Sequence, residues 1–203
     1  MYLKYNSLLT TSSFSVTLNY LYIIFYLYIM FDNVINTYQD ILSQVKQHIP
    51  QTVLAGGCLR DTFYGVEVKD LDFVVKLEQG QENLYPVGPY SPWLTEVWPD
   101  KTFQWCDAQF LAEYDNGGYN FVDVFESTDG TVKFIIVVDI PTYTNQFPDS
   151  ISEMVFDGTT VHTSSRWRTG NTLRTIYYDE PKMKQPRLDK LHNKYPTWEF
   201  VIE

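Results

Sequence analysis

Val53–Lys76, VLAGGCLRDTFYGVEVKDLDFVVK, is the stretch that decides the fold. Val53, Leu54 and Ala55 read as a short strand, Gly56-Gly57 as a tight turn, and Cys58 to about Tyr64 as a helix that Gly65 stops. A second strand runs from about Val68 to Lys76. Glycine reaches backbone angles closed to other residues and lets a ligand come close to the chain. A glycine turn that opens a helix also gathers unpaired N–H groups and a partial positive charge, and both suit a phosphate. On the second strand Asp70 and Asp72 stand two residues apart, so their carboxylates share a face while Leu71 and Phe73 point the other way, into a core. Two carboxylates on one face make a hard-oxygen site for magnesium. A phosphate cradle opposite such a site implies transfer of a nucleotidyl group.

The ordered set Gly56, Gly57, Arg60, Asp61, Gly65, Lys69, Asp70, Asp72 and Phe73 resembles the head motif of the polymerase-β-like nucleotidyltransferases. It is most similar to the branch that holds the CCA-adding tRNA nucleotidyltransferases and the bacterial poly(A) polymerases. The resemblance is strong over Val53–Lys76 and weak over the chain that follows. It implies an enzyme that moves a nucleoside monophosphate from a nucleoside triphosphate to an acceptor hydroxyl, with Mg2+ as cofactor. Asp70 and Asp72 would be the catalytic carboxylates and metal ligands. Gly56 and Gly57 would hold the β- and γ-phosphates, and Arg60, Asp61 and Lys69 would order or bind the nucleotide. A hairpin later in the chain should bring a third acidic residue beside the pair.

The whole chain sets bounds on this reading. Its 203 residues suffice for one domain with appendages and a proper core. The 15 basic and 25 acidic residues leave a net charge of -10. Proteins that hold long nucleic acid usually show a basic face, so the balance favours a small-molecule or protein acceptor beside a tRNA end. Cys58 and Cys106 form neither a disulfide framework nor a metal-ligand spacing, which fits a reducing, cytoplasmic setting (the host cytoplasm for a viral protein).

Residues 1–29 differ from the rest: they are rich in Tyr, Ile, Leu and Ser, and Lys4 is their only charged side chain. The apolar run Leu18–Phe31 is interrupted by Asn19 and is shorter than the ~20 residues a spanning helix needs. No small-residue cleavage site follows before Met30. The stretch reads as a disordered extension or a mis-called start, with a membrane-associated segment as the alternative and no stable membrane association expected. The catalytic domain would then span 30–203. Its first element is an amphipathic helix from Asp32 as N-cap, with Val34, Ile35, Tyr38, Ile41, Leu42, Val45 and Ile49 at helical spacing and Pro50 ending it.

Leu77–Asp100, with Pro86, Pro89, Pro92 and Pro99, reads as a loop and a candidate flap. Trp93 and Trp98 within it suit a core better than a stacked base. Tyr119–Glu126 and Thr131–Asp139 flank Ser127-Thr128-Asp129-Gly130, a hairpin turn signal. The second arm is apolar enough for a central strand. In the family's register the third acidic position falls near Phe134, which cannot hold a metal, so Asp139 and Asp123 are the substitute metal candidates. Ser150–Phe156 reads as a helix on the sheet, followed by a turn at Asp157-Gly158, and Thr197–Ile202 as an edge strand.

Eight of the 15 basic residues, Arg166, Arg168, Arg174, Lys182, Lys184, Arg187, Lys190 and Lys194, fall near the end of the chain. Pro186 starts a helix there, with Arg187 and Lys190 on one side as phosphate candidates or as an ordinary solvated surface. His48, His162 and His192 have no spacing that suggests a triad or zinc site. The fold class is thus α/β (α+β), with a mixed, mostly antiparallel sheet and helices mainly on one face. Two functions compete: a magnesium-dependent nucleotidyltransferase, and a nucleotide- or protein-binding module of the same fold that has lost catalysis.

Overall fold

The computed structural model describes residues 9–76, 87–106 and 121–203. Helix α1 (Leu9–His48) leads into strand β1 (Thr52–Ala55), helix α2 (Gly57–Phe63) and strand β2 (Leu71–Lys76). Helix α3 (Trp93–Val97), strand β3 (Phe103–Trp105) and the hairpin β4 (Phe121–Ser127) and β5 (Val132–Val137) follow. Helix α4 (Ile140–Thr144), a 3-10 turn (Ser150–Ser152), β6 (Met154–Phe156) and β7 (Val161–Thr163) come next. The chain closes with α5 (Ser165–Leu173), β8 (Thr175–Tyr178), α6 (Gln185–Lys194) and β9 (Glu199–Ile202).

Among the described residues, β1 to β7 form one sheet in the order β3-β4-β5-β2-β1-β6-β7. Every neighbouring pair is antiparallel except β2 and β5, which run parallel. This is the mixed, mostly antiparallel sheet expected from the sequence. Strand alternation gives it two different faces. One face presents Leu54, Phe73, Phe134, Ile136, Phe125 and Phe156, which join Val34, Tyr38, Leu42 and Val45 of α1, Leu59 and Phe63 of α2, and Trp93 and Leu94 of α3 in the main core. At its centre Phe134 stacks between Phe73 and Phe125, with ring centroids 5.0 and 4.7 Å away. The other face carries Val53, Ala55, Val74, Val124, Ile135 and Val137 and is covered by Tyr143 and Phe147 on and after α4. Helices therefore lie chiefly on one face, and the second face is open enough to hold a site.

The hairpin turn is held by Asp129, whose Oδ1 accepts from Ser127 Oγ (2.6 Å) and Thr131 N (3.1 Å) while Gly130 takes φ 70°. Several expectations are corrected. Helix α1 does not start at Asp32, because no glycine or proline interrupts the sequence between Leu9 and His48. Asp32 lies inside it and accepts from Asn36 Nδ2 at 3.2 Å. The boundary at Met30 thus cuts a continuous helix. Leu27, Met30 and Phe31 pack against the main core, and the Phe31 ring lies 4.9 Å from that of Phe63. Among the described residues no helix is long and apolar enough to cross a membrane.

Ser150–Phe156 is not a helix but the 3-10 turn and β6, where Val155 and Phe156 pair with β1 or β7. Alternation of Met154 and Phe156 into the core fits a strand of this length. The candidate flap falls partly at 77–86, outside the described residues. The rest of that stretch contains α3, and Trp93 and Trp98 are buried against Phe134 at 5.6 and 5.9 Å, which is core packing. The terminal strand forms, but β9 pairs in parallel with β8 in a separate two-stranded sheet.

Candidate active site

The motif turn is built as the sequence suggests. Gly56 has φ 76°, a left-handed value that favours glycine, and its N–H donates to the Met154 carbonyl of β6 at 3.0 Å. A Cβ on Gly56 would sit 3.5 Å from the Phe147 ring, and one on Gly57 3.6 Å from Arg60 Nη2. The two glycines therefore keep the floor of a pocket low. Its walls come from distant parts of the chain: Asp70 and Asp72 at the start of β2, Ile135 of β5, Tyr143 and Phe147 around α4, and Lys182, Lys184, Arg187 and Lys190 on and before α6. Arg60 and Asp61 also line it.

Asp70 immediately precedes β2 and Asp72 lies within it, and both reach the pocket. The Asp72 Oδ1 atom is buried and has no hydrogen-bond partner among the described residues. Burial, and then the Asp70 charge, pushes the Asp72 carboxyl up to about 6. In the parallel register of β2 and β5 the residue opposite Asp72 is Lys133, and its Nζ lies 3.0 Å from Asp70 Oδ2. Burial lowers the Lys190 ammonium, against an opposing pull from Asp70.

Arg60 and Asp61 occupy a different environment. Arg60 Nε donates to Asp61 Oδ1 at 2.7 Å and Nη1 to Ser152 Oγ at 2.9 Å, with both charged side chains almost wholly buried. Asp61 is further held by Lys194 Nζ and by the Tyr195 hydroxyl at 3.0 Å. Burial works to raise the Asp61 carboxyl, but Arg60 and Lys194 outweigh it and hold it below its ordinary range. Nearby, the fully buried Asp149 accepts from Ser152 N (3.0 Å) and Arg187 Nε (2.9 Å). Burial again raises this carboxyl and Arg187 and Arg60 prevail, so the net shift is downward. The network ties α6 to the motif helix and fixes where its cations stand.

The structure thus brings Gly56, Gly57, Arg60, Asp61, Asp70, Asp72, Arg187 and Lys190 to one pocket. Three expected residues are not brought there. Lys69, in the irregular stretch that leads into β2, is exposed and does not line the pocket. Asp139 lies past Val137, which pairs with Lys76 at the far end of β2 from Asp72. There it caps α4, accepting from Thr142 N (3.0 Å) and Oγ1 (2.7 Å), and those bonds hold its carboxyl low. Asp123 follows a register shift in β4 and pairs with Ile136, which puts it on the main-core face, opposite to Asp72. Neither supplies a third carboxylate. Among the described residues no group of three His, Cys, Asp or Glu side chains could share a metal ion.

Sequence reasoning missed Lys133, Asp149, Ser152, Tyr143 and Phe147, and used Lys182 and Lys184 only as part of a basic tail. A signal existed for Lys133, the one charge within the apolar run Val132–Val138. Asp149 had the local pattern of a cap, since Ser152 follows three residues later, but nothing local pointed to Arg187.

No protein-family profile matches the chain, and no curated protein matches it. The fold is similar to that of a solved structure described as a tRNA-processing enzyme (apo form I), with a TM-score of 0.50 and 13% identity. That match covers 83% of this chain and 44% of the other. A second structure, described as a tRNA-processing enzyme complex 3, matches with a TM-score of 0.46 and 15% identity over 79% of this chain and 43% of that one. The chain spans less than half the length of these matched chains. At such identity the likeness is one of fold, and it agrees with the mixed α/β architecture described above.

Proposed function

We propose that this chain is a nucleotidyltransferase that binds a nucleoside triphosphate with Mg2+ and passes the nucleoside monophosphate to an acceptor hydroxyl. The observation that carries this reading is one pocket in which the Asp70–Asp72 edge faces the Gly56-Gly57 floor and a wall of Lys182, Lys184, Arg187 and Lys190. The residues fit a magnesium ion. The buried Asp72 Oδ1 has no hydrogen-bond partner among the described residues and is an oxygen a cation could use, and magnesium is commonly held by one or two carboxylates plus substrate phosphates. Asp70 and Asp72 would hold the ion, which when bound supplies neutralising charge at the phosphates.

The glycine floor lets phosphate oxygens reach the backbone, and the cationic wall balances the remaining anionic charge. Asp149 and Ser152 keep the Arg187 guanidinium oriented before substrate arrives, which removes an ordering cost from binding. The acceptor hydroxyl would attack the α-phosphorus as the bond to the β-phosphate breaks, pyrophosphate leaving and the hydroxyl proton passing to solvent. A tRNA end is the acceptor to try first, since the fold neighbour is a tRNA-processing enzyme. The net charge of -10 keeps a small molecule or a protein as further choices.

The test is incubation with each labelled nucleoside triphosphate, Mg2+ and total tRNA, followed by identification of what becomes labelled. Label on an acceptor with release of pyrophosphate is the expected result. A second reading, a binding module without catalysis, is favoured by one observation: Lys133 rather than a carboxylate stands opposite Asp72. Mg2+-dependent thermal stabilisation by a triphosphate with no pyrophosphate release would select that module.

A further inference from the structure

We infer that this site takes a single divalent ion with its triphosphate, the Lys133 ammonium holding by its charge the place of a second ion; the inference rests on the nucleotidyltransferase reading above. The position opposite Asp72 on β5 is Lys133, and the next residues on that face, Ile135 and Val137, are apolar. The two other acidic candidates are committed elsewhere, Asp139 as the cap of α4 and Asp123 on the opposite face of β4. Among the described residues no third His, Cys, Asp or Glu side chain joins Asp70 and Asp72.

Lys133 is held in place rather than free to swing. Its side chain is 13% exposed, and its Nζ lies 3.0 Å from Asp70 Oδ2. That contact removes part of the negative potential that a second ion would need. A divalent ion brought within a few ångströms of the ammonium would also meet direct repulsion, severe in a partly buried site. Asp72 Oδ1, buried and without a hydrogen-bond partner among the described residues, remains as the oxygen for one ion. The charge of the triphosphate is then met by one divalent ion and by the wall of Lys182, Lys184, Arg187 and Lys190, while Lys133 acts on the ion site through Asp70.

Counting bound ions tests this without reading activity. The full chain is titrated with Mn2+ in the presence of a non-hydrolysable α,β-methylene nucleoside triphosphate, and free Mn2+ is followed by its electron paramagnetic resonance signal. One Mn2+ per triphosphate-bound chain is expected. Two per chain would overturn the inference and leave the functional reading standing. No bound Mn2+ or triphosphate at all would overturn both. Lys133→Asp, which places a carboxylate opposite Asp72, should raise the count to two, and a folded variant that still bound one would remove Lys133 from the explanation.

Should Lys133→Asp fail to fold, Lys133→Met keeps most of the stem and removes the charge. With Mn2+ alone its affinity should rise about tenfold, because a like charge beside the ion is gone. An unchanged affinity would overturn the role given to Lys133.

Discussion

Two sets of carboxylates stand within this fold, and they are treated in opposite ways. Asp61 and Asp149 are enclosed by Arg60, Lys194, the Tyr195 hydroxyl, Arg187 and Ser152, so both are held in the ionised form despite burial. Asp70 and Asp72 sit side by side with Lys133 as the near cation, and the Asp72 carboxyl is driven up rather than down. The first set joins α6 to the motif helix. The second feels Lys133, Arg187 and Lys190 through space, but among the described residues no hydrogen bond reaches Asp72 Oδ1. The first set is fully buried and the second half-buried, and what separates framework from site is how many hydrogen-bonding partners are already in place.

The largest expected effect comes from breaking the framework set. Asp61→Ala strips the partner from Arg60 and Lys194 at a site where Arg60 and Asp61 are about 6% and 5% exposed at the side chain. Removing one member of a buried pair costs about 3–5 kcal/mol, because the remaining charge stays buried and unpaired. Chemical denaturation should show a loss of that order. A loss below about 1 kcal/mol would place Asp61 in the class of surface pairs and erase the contrast.

Asp149→Asn should cost less, about 1–3 kcal/mol, because Arg187 keeps 40% of its side chain in water and can resolvate. Its pH dependence has a definite sign. The folded carboxyl lies below its ordinary value of 3.8, so the stability it contributes is present above that value and lost as pH falls through the folded one. The gap in melting temperature between the wild type and Asp149→Asn should therefore be wide at pH 7 and close below about pH 4. A gap that widened in acid would reverse the assignment.

The same contrast explains what could be read from the sequence. Gly56, Gly57, Asp70 and Asp72 lie within one strand–turn–helix–strand unit, so their juxtaposition follows from local geometry. The hairpin was legible because Asp129-Gly130 selects a turn and the apolar run Val132–Val137 selects a central strand. The framework set was not legible, since Asp61 meets Lys194 and Asp149 meets Arg187 only after β8, α6 and β9 have packed around Ile151, Ile176 and Leu191. Asp139 misled for a related reason. Position at a strand end suggests a ligand, yet the parallel pairing of β2 and β5 puts that end far from Asp72, where a helix cap uses the carboxylate instead.

On the site side, removing a charge should help the metal-free protein. The folded Asp72 carboxyl, at about 6, binds its proton more tightly than the unfolded chain, so ionisation above that pH works against folding. Asp72→Asn should then melt higher than the wild type at pH 8, by on the order of 1 kcal/mol, with the difference fading as pH falls below about 4. Stabilisation by Mg2+ and triphosphate should drop sharply, and transfer should fall about 100-fold or more. A variant that melted lower at pH 8 would mean that the carboxylate has a partner after all.

The smallest stability effect belongs to Asp70→Asn, and it sharpens the comparison most finely. Asp70 differs from its neighbour in being 30% exposed at the side chain and paired with Lys133. Two terms oppose each other in the variant. Losing the pair with Lys133 destabilises, and relief of the repulsion with Asp72 stabilises. Partly exposed pairs contribute about 0–1 kcal/mol, so the terms should nearly cancel and leave the melting temperature of the metal-free protein almost unchanged at pH 7. With the Asp70 charge gone, Asp72 loses the like charge that helps to push it up, so its carboxyl should titrate lower than about 6. That shift is readable by carbon-13 NMR of the Asp72 carboxyl against pH. Ligand-dependent properties should still fall as they do for Asp72→Asn, because both oxygens are needed to share an ion. If Asp70→Asn lost stability as heavily as Asp61→Ala, then Asp70 would belong with the framework, and Asp72 would be left as a lone carboxylate too weak to define a metal site.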